Sequence, residues 1–263
     1  GELSAHGIEV LSDLPGVGKN LQDHLQARPV FKTTLSTVNT EINSYLKKGL
    51  IAAKYAFTQR GPMTMAASLG TGFLKTEAHL ETPDIQFHIQ PWSALKPADG
   101  PHKFSAFTAS VLQLRPESAG HLTLSSANID DHPEIHPNYL STDTDCRTIV
   151  KGIQIARRIA QSEPLKSHIT EEYAPGVGVA LEDEVATLEW ARQTSVTIYH
   201  PTGTCKMGID PMAVVDPSLK VKGIRGLRVA DASIMPRIVS GNTNAPAIMI
   251  GEKASQLVLE DAS

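Results

Sequence analysis

The 263-residue sequence contains little cysteine, few aromatic residues, no large excess of charge and no long apolar run. Its two cysteines, Cys146 and Cys205, lie far apart, which excludes a disulfide-stapled scaffold and a zinc site built on paired cysteines. The 24 basic and 28 acidic residues give a formal net charge of −4, so the charge balance makes no case for binding nucleic acid or an acidic membrane. No apolar run approaches the roughly 18–20 residues that a membrane span needs.

The chain opens at Gly1 without methionine, and no signal peptide or basic transit segment follows. We therefore expect it to begin within a longer protein. With 41% hydrophobic residues, its composition is that of an ordinary globular protein. We expect a cytoplasmic location, with association with a membrane left open.

Hydrophobic periodicity predicts a mixed α+β architecture. An irregular loop rich in Gly, Pro and Asp is expected over 13–24. Helices are predicted over 40–58, from an N-cap at Asp143 to about 160, over 182–192 and over 245–260. Strands are predicted over 85–90, 104–114, 121–125 and 226–230.

The segment Tyr199-His200-Pro201-Thr202-Gly203-Thr204-Cys205-Lys206-Met207-Gly208 is a candidate site for proton transfer. A histidine followed by proline, in a loop with two glycines, is held by backbone that cannot form a regular helix. Because imidazole titrates near neutral pH, His200 suits a base held in fixed geometry. A purely structural histidine beneath a loop is an equally good interpretation of this segment alone.

Two further segments carry candidate ligand-binding residues. Asn244 is predicted as the N-cap of the last helix, and Pro246 fits its first turn. The positive end of that helix would favour an electron-rich or anionic ligand, although capping alone explains Asn244 better than it explains Asn242. Asp231, followed by the small residue Ala232 at a strand end, would allow a ligand close to the backbone, but this signal is weak alone.

Other chemical signals are missing from the sequence. It has no complete GxGxxG dinucleotide fingerprint, and no GxSxG, HExxH or P-loop motif. The neighbouring Lys206 is the only hint that Cys205 is a nucleophile, and we expect a buried, inert thiol instead. His24, His88 and the remaining histidines show no metal-ligand spacing and are expected to be structural or exposed, so no metal is predicted.

Taken together, three segments resemble the carboxy-terminal signature of the glucose–methanol–choline (GMC) family of FAD-dependent oxidoreductases, especially bacterial choline and alkanol dehydrogenases. They are HPTGTCKMG, VVDPSLKVKGIRGLRVADASIMP and SGNTNAPAIMIGEKAS. Upstream, LPGVGKNLQDHL, RGPMT and SAGHLTLSSANIDDHPEIHPNYLS resemble family segments in the expected order. The resemblance extends along nearly the whole chain.

The resemblance implies a fold and a missing partner. It implies an antiparallel-sheet substrate domain with helices, plus the carboxy-terminal part of an α/β FAD-binding domain. The expected divisions are 1–27 as an FAD-domain segment, 28–198 as the substrate-binding domain, and 199–263 as the active-site loop and last FAD-domain segment. Family members are about twice as long and carry GxGxxG near the amino terminus. We therefore expect the amino-terminal half to be a separate or missing chain, without which this chain holds FAD poorly or not at all.

The resemblance also assigns roles to individual residues. His200 corresponds to the family base for the substrate hydroxyl, and Asn242 to the second active-site position, which is His or Asn. Asp231 and Ala232 match the segment near the FAD ribityl and phosphate groups, and Asn244 matches the position against the isoalloxazine. The implied reaction is oxidation of a primary alcohol to an aldehyde, with proton abstraction by His200, alkoxide stabilisation by Asn242 and hydride transfer to flavin N5.

Two alternatives to the oxidoreductase remain open at this stage: an FAD-containing hydroxynitrile lyase-like enzyme, and a catalytically silent subunit or fragment. Nothing distinguishes choline from a medium-chain alkanol as the small alcohol substrate, and the electron acceptor and oligomeric state are equally unassigned. The aromatic residues that could line a substrate pocket are Tyr45, Phe87, Trp92 and Phe104. Each of them is equally well explained as a residue of the hydrophobic core.

Overall fold

The computed structural model describes residues 1–66, 68–94 and 100–262. The chain divides into two compact units, each formed from separate stretches of sequence. The first contains Gly1–His24, Leu114–Asp145 and Thr197–Ser263; the second contains Leu25–Gln113 and Cys146–Val196. The stretch 114–145, which the sequence placed in a substrate-binding domain over 28–198, thus lies with the terminal segments. The domain assignment itself stays a prediction.

A largely antiparallel sheet forms the second unit. Its strands are β1 (Leu25–Ala27), β2 (Val30–Thr33), β3 (Gly70–Leu74), β4 (Ile85–Gln90), β5 (Ala106–Gln113), β8 (Ile169–Ala174) and β9 (Val196–Thr197). They run in the order β3-β4-β5-β1-β9, and β2 pairs with both β5 and β8. The long pairing of β4 with β5, from Ile85 opposite Gln113 to Gln90 opposite Thr108, forms its centre. The antiparallel sheet with helices agrees with the predicted fold class.

Three helices accompany this sheet in sequence: α2 (Val38–Glu41), α3 (Tyr45–Thr58) and α5 (Glu184–Thr194). A fourth, α4 (Asp143–Ala160), packs on the sheet so closely that a Cβ at Gly152 would lie 2.7 Å from Val111 Cγ2. Ile149 and Ile153, one turn apart on α4, are fully buried, as their helical spacing predicts. The cap of α4 is Thr142, whose Oγ1 accepts the Asp145 N–H at 3.3 Å, so the predicted cap at Asp143 is one residue late.

The first unit contains more irregular backbone. It holds the short helix α1 (Glu2–Ala5), the hairpin β6 (His121–Thr123) with β7 (Glu134–His136), and the long last helix α6 (Asn244–Ala262). Its core packs apolar side chains of the 214–235 stretch against one face of α6. The stretch contributes Val214, Val215, Leu219, Val221, Ile234 and Met235, and α6 contributes Ile250 and Ala254.

The predicted strand over 226–230 does not form, although the structure describes all of it. Only an isolated bridge joins Lys220 and Arg228. Gly226, the first residue of the predicted strand, adopts a positive φ in a turn, which shortens the extended run. The helix predicted over 40–58 is interrupted at 42–44, between α2 and α3. The other predicted helices and strands are present within a few residues of their expected ends.

Among the described residues, no helix combines the length and the apolar character needed to cross a membrane. The same part of the chain brings together no group of three His, Cys, Asp or Glu side chains able to hold a metal ion.

Candidate active site

Asp23 anchors the loop that carries His200. One carboxylate oxygen accepts the His200 backbone N–H at 2.9 Å, and the other accepts the hydroxyls of Thr197 and Tyr139. The Thr197 hydroxyl oxygen in turn accepts the Tyr199 N–H at 2.9 Å, which supports the left-handed backbone of Tyr199 at φ 63°. Burial and the hydrogen bond to Asp23 raise the pKa of Tyr139 far above its usual range, so the phenol remains a donor at neutral pH.

The rest of the loop is fixed by its pairing with the 20–22 stretch. Gln22 and Thr202 exchange two backbone hydrogen bonds, of 2.8 and 3.1 Å. Gly203 has a φ of +92°, and a Cβ there would lie 2.3 Å from the Asn20 carbonyl oxygen. Glycine is therefore required at position 203 for both its conformation and its lack of a side chain. The close approach of the Asn20 backbone thus explains the glycine at position 203 in the loop that carries His200.

The His200 ring lies between a histidine and an amide. Its Nδ1 is 3.0 Å from His24 Nδ1, and its Nε2 is 3.4 Å from Asn242 Nδ2. His24 is fully buried, and its Nε2 lies 3.1 Å from the Leu114 carbonyl oxygen. The structure thus brings together the two predicted catalytic residues and adds His24, which we predicted to be structural or exposed.

The Leu114 carbonyl fixes the protonation pattern of both rings. A carbonyl only accepts hydrogen bonds, so His24 Nε2 must carry the proton. The neutral tautomer of His24 with this proton presents the lone pair of Nδ1 to His200. His200 therefore donates from Nδ1 and presents its own lone pair at Nε2, towards Asn242. Burial lowers the pKa of His200 below 6.5, and the charge of Asp23 offsets this only in part, so the ring is neutral at pH 7.

The residues predicted to contact the cofactor lie on the same unit. Asp231 is exposed and caps a short 3₁₀ turn, Ala232–Ile234, by accepting the Ser233 N–H at 2.7 Å. That turn accepts hydrogen bonds from the active-site loop, including Cys205 N–H to Ser233 O at 2.9 Å. Burial raises the pKa of the Cys205 thiol, in agreement with an inert cysteine.

Asn244 is the first residue of α6, and its side chain is exposed. The first bond of the helix runs from the Ala247 N–H to the Thr243 carbonyl at 3.0 Å, so Thr243 is the cap and the predicted cap at Asn244 is one residue late. Since Asn244 does not provide the cap, its amide is available to a ligand at the positive end of α6.

These residues fit the flavin and ribityl end of FAD. The amides of Asn242 and Asn244 stand at the start of a 19-residue helix, whose leading N–H groups and dipole suit an electron-rich ring. The exposed Asp231 carboxylate suits hydroxyl donors such as those of a ribityl chain. The sequence offers no GxGxxG loop for the pyrophosphate.

The four aromatic residues that could line a substrate pocket differ in their exposure and contacts. Phe87 is buried in the core, and Tyr45 is 90% exposed on α3. Trp92 and Phe104 are half-buried, and each ring is faced by a cation of the chain itself: Arg28 lies 5.5 Å from the Trp92 ring and Lys32 4.8 Å from that of Phe104.

Comparison with known proteins identifies the family of this chain. The family model described as GMC oxidoreductase matches residues 116–251, and the chain belongs to that family. It is 42% identical over 262 residues to "Alcohol dehydrogenase [acceptor]" of Pseudomonas putida, covering 98% of this chain and 47% of the relative. It is 39% identical to the mitochondrial choline dehydrogenase of Homo sapiens, covering 98% of this chain and 43% of the relative.

Solved structures agree with the fold. A formate oxidase crystal structure matches with a TM-score of 0.90 at 26% identity, covering 99% of this chain and 50% of the other. Pyridoxine 4-oxidase from "Mesorbium loti" matches with a TM-score of 0.78 at 26% identity, covering 97% of this chain and 46% of the other. The chain thus spans about half the length of the proteins it matches.

Proposed function

We propose that this chain supplies the alcohol-activating half of an FAD-dependent oxidoreductase that converts a primary alcohol, of the choline or alkanol type, to an aldehyde. The observation that carries the proposal is the chain of contacts from the Leu114 carbonyl through His24 to the His200 ring, whose Nε2 lies 3.4 Å from Asn242 Nδ2. Membership of the GMC oxidoreductase family and the alcohol and choline dehydrogenase relatives support the reaction class.

The 3.4 Å between His200 Nε2 and Asn242 Nδ2 suits a shared hydroxyl. An oxygen about 2.8 Å from each nitrogen would occupy the apex of a triangle on that base. His200 Nε2 would take the hydroxyl proton, while the Asn242 N–H would stabilise the negative charge left on oxygen. General-base help is worth about 10²–10⁴-fold, and a fixed donor of this kind about 3 kcal/mol.

FAD, when bound, supplies the two-electron acceptor for the hydride of the alcohol. Asn242, Asn244, Asp231 and Ala232 are the residues of this chain that would hold its flavin and ribityl end. We further propose that the amino-terminal half of the enzyme, as a separate or missing chain, holds the pyrophosphate. Apolar side chains exposed on α6, namely Ile248, Met249, Val258 and Leu259, are suited to contact with that half.

Two measurements test this proposal. Flavin absorbance is expected at background for the purified chain and at about one flavin per protein after assembly with an amino-terminal half. In the assembled enzyme, anaerobic mixing with a primary alcohol should bleach the flavin, and His200→Ala should slow bleaching at least 100-fold. A near-normal rate of bleaching in His200→Ala would exclude His200 as the general base. Flavin that binds but stays oxidised with every alcohol would favour the lyase instead.

A further inference from the structure

Helix α3 (Tyr45–Thr58) presents an apolar surface to solvent. None of its 14 residues, all within the described chain, is buried. Tyr45, Leu46, Leu50 and Phe57 are 90, 83, 71 and 88% exposed. An amphipathic helix of a globular protein normally turns this face towards the core, so the exposed stripe calls for a covering partner.

The arrangement around the helix is that of a surface-bound membrane helix. At 100° per residue the exposed apolar residues share one side, which also carries Gly49, Ala53 and Ala56. The less exposed Ile51 and Tyr55 lie on the opposite side, towards the protein. Lys47 and Lys54 follow one edge of the apolar face, and Lys48 the other, with its Nζ 5.5 Å from the Tyr45 ring.

Local charge favours an anionic partner. From Ile42 to Thr76 the sequence contains no Asp or Glu, while its cations are Lys47, Lys48, Lys54, Arg60 and Lys75. The net charge of −4, from which no membrane attraction was expected, therefore conceals a cationic stretch. The short 3₁₀ turn Pro62–Thr64, which packs against α3, extends the apolar surface with Met63, 56% exposed.

We propose that α3 binds flat on a lipid bilayer with anionic headgroups, with its apolar face among the acyl chains and its lysines at the phosphates. Its 14 residues are fewer than the ~20 that a span requires, so the helix lies in the interfacial plane. Lysines along both edges of an apolar helix face match the phosphates on either side of a helix that lies in the headgroup layer. Neither His200 nor FAD enters this inference.

Vesicle flotation tests the proposal. The purified protein is expected to float with phosphatidylcholine vesicles that contain phosphatidylglycerol, and to bind phosphatidylcholine alone at least tenfold more weakly. The triple variant Leu46→Gln, Leu50→Gln and Phe57→Gln should lose binding more than tenfold. Glutamine is a good helix former and no core contact is lost, so helical content and thermal midpoint should be unchanged.

A charge variant and a matched control complete the design. Replacing Lys47, Lys48 and Lys54 with glutamine should weaken binding to the anionic vesicles by up to about 100-fold, and added salt should mimic the loss. Glutamine at three equally exposed apolar positions elsewhere, Ile129, Val185 and Ile209, should change nothing. Equal flotation of the wild type and the apolar triple variant would overturn the proposal. Background flotation of the wild-type protein assembled with an amino-terminal half would overturn it too. If, in addition, the apolar triple variant failed to dimerise or to pair with that half, the apolar face of α3 would be a protein interface instead.

Discussion

Replacing His24 with phenylalanine should weaken His200 as a base, although His200 itself is unchanged. Phenylalanine keeps a ring of similar size in the fully buried position but offers no acceptor to the Nδ1–H of His200. Leaving a buried donor unsatisfied costs about 1–3 kcal/mol, which corresponds to about 5–150-fold in the population of the required tautomer. We expect the rate of flavin reduction by alcohol in the assembled enzyme to fall by about 10–100-fold, with little change in KM.

Asparagine at position 24 provides the matched control. Its side-chain oxygen can occupy the place of His24 Nδ1, and so accept the bond 3.0 Å long in the wild type. His24→Asn should therefore retain most of the activity that His24→Phe loses, although both variants lose the bond to the Leu114 carbonyl. Anaerobic stopped-flow bleaching of the flavin measures the difference. A phenylalanine variant within twofold of the wild type, or an asparagine variant as slow as the phenylalanine one, would refute the tautomer argument.

Three other changes test separate parts of the site. Asn242→Ala should slow flavin reduction about 100-fold, because the donor to the developing alkoxide is lost; an unchanged rate would remove Asn242 from that role. Asp23→Asn should move the acidic limb of the kcat/KM profile to lower pH, because the Asp23 charge raises the pKa of His200 and a neutral base is needed; a shift to higher pH would contradict this. Gly203→Ala should cost about 3 kcal/mol in unfolding free energy by chemical denaturation, whereas Gly49→Ala in α3, where a Cβ meets no atom within 4 Å, should be neutral or stabilising.

Local patterns in the sequence were sufficient for most of the secondary structure. The helical spacing of Ile149 and Ile153 predicted the buried face of α4, and the alternation over 85–90 predicted β4. The same reasoning failed over 226–230, where Gly226 lies in a turn and only an isolated bridge forms at Arg228. It also gave no warning that the apolar face of α3 points to solvent, because periodicity identifies a stripe without saying what covers it.

The candidate site was only half visible in the sequence. The loop around His200 and the segment around Asn242 carry unusual local composition, and the family resemblance connected them. His24 carries no such signal, because its importance comes from a contact with a residue 176 positions away and from a carbonyl 90 positions away. Its neighbour Asp23, in the same loop, was missed for the same reason. Contacts of this kind are set by the tertiary fold, which local spacing does not encode.

The proposed role of His200 as a base requires a neutral ring with an unprotonated Nε2. Nitrogen-15 NMR of histidine-labelled protein measures this directly, since protonated and unprotonated imidazole nitrogens have well-separated shifts, and the His200→Gln spectrum identifies the His200 signals. At neutral pH we expect a protonated Nδ1 and an unprotonated Nε2 for His200. A proton on Nε2, in either the other tautomer or the imidazolium, would contradict it.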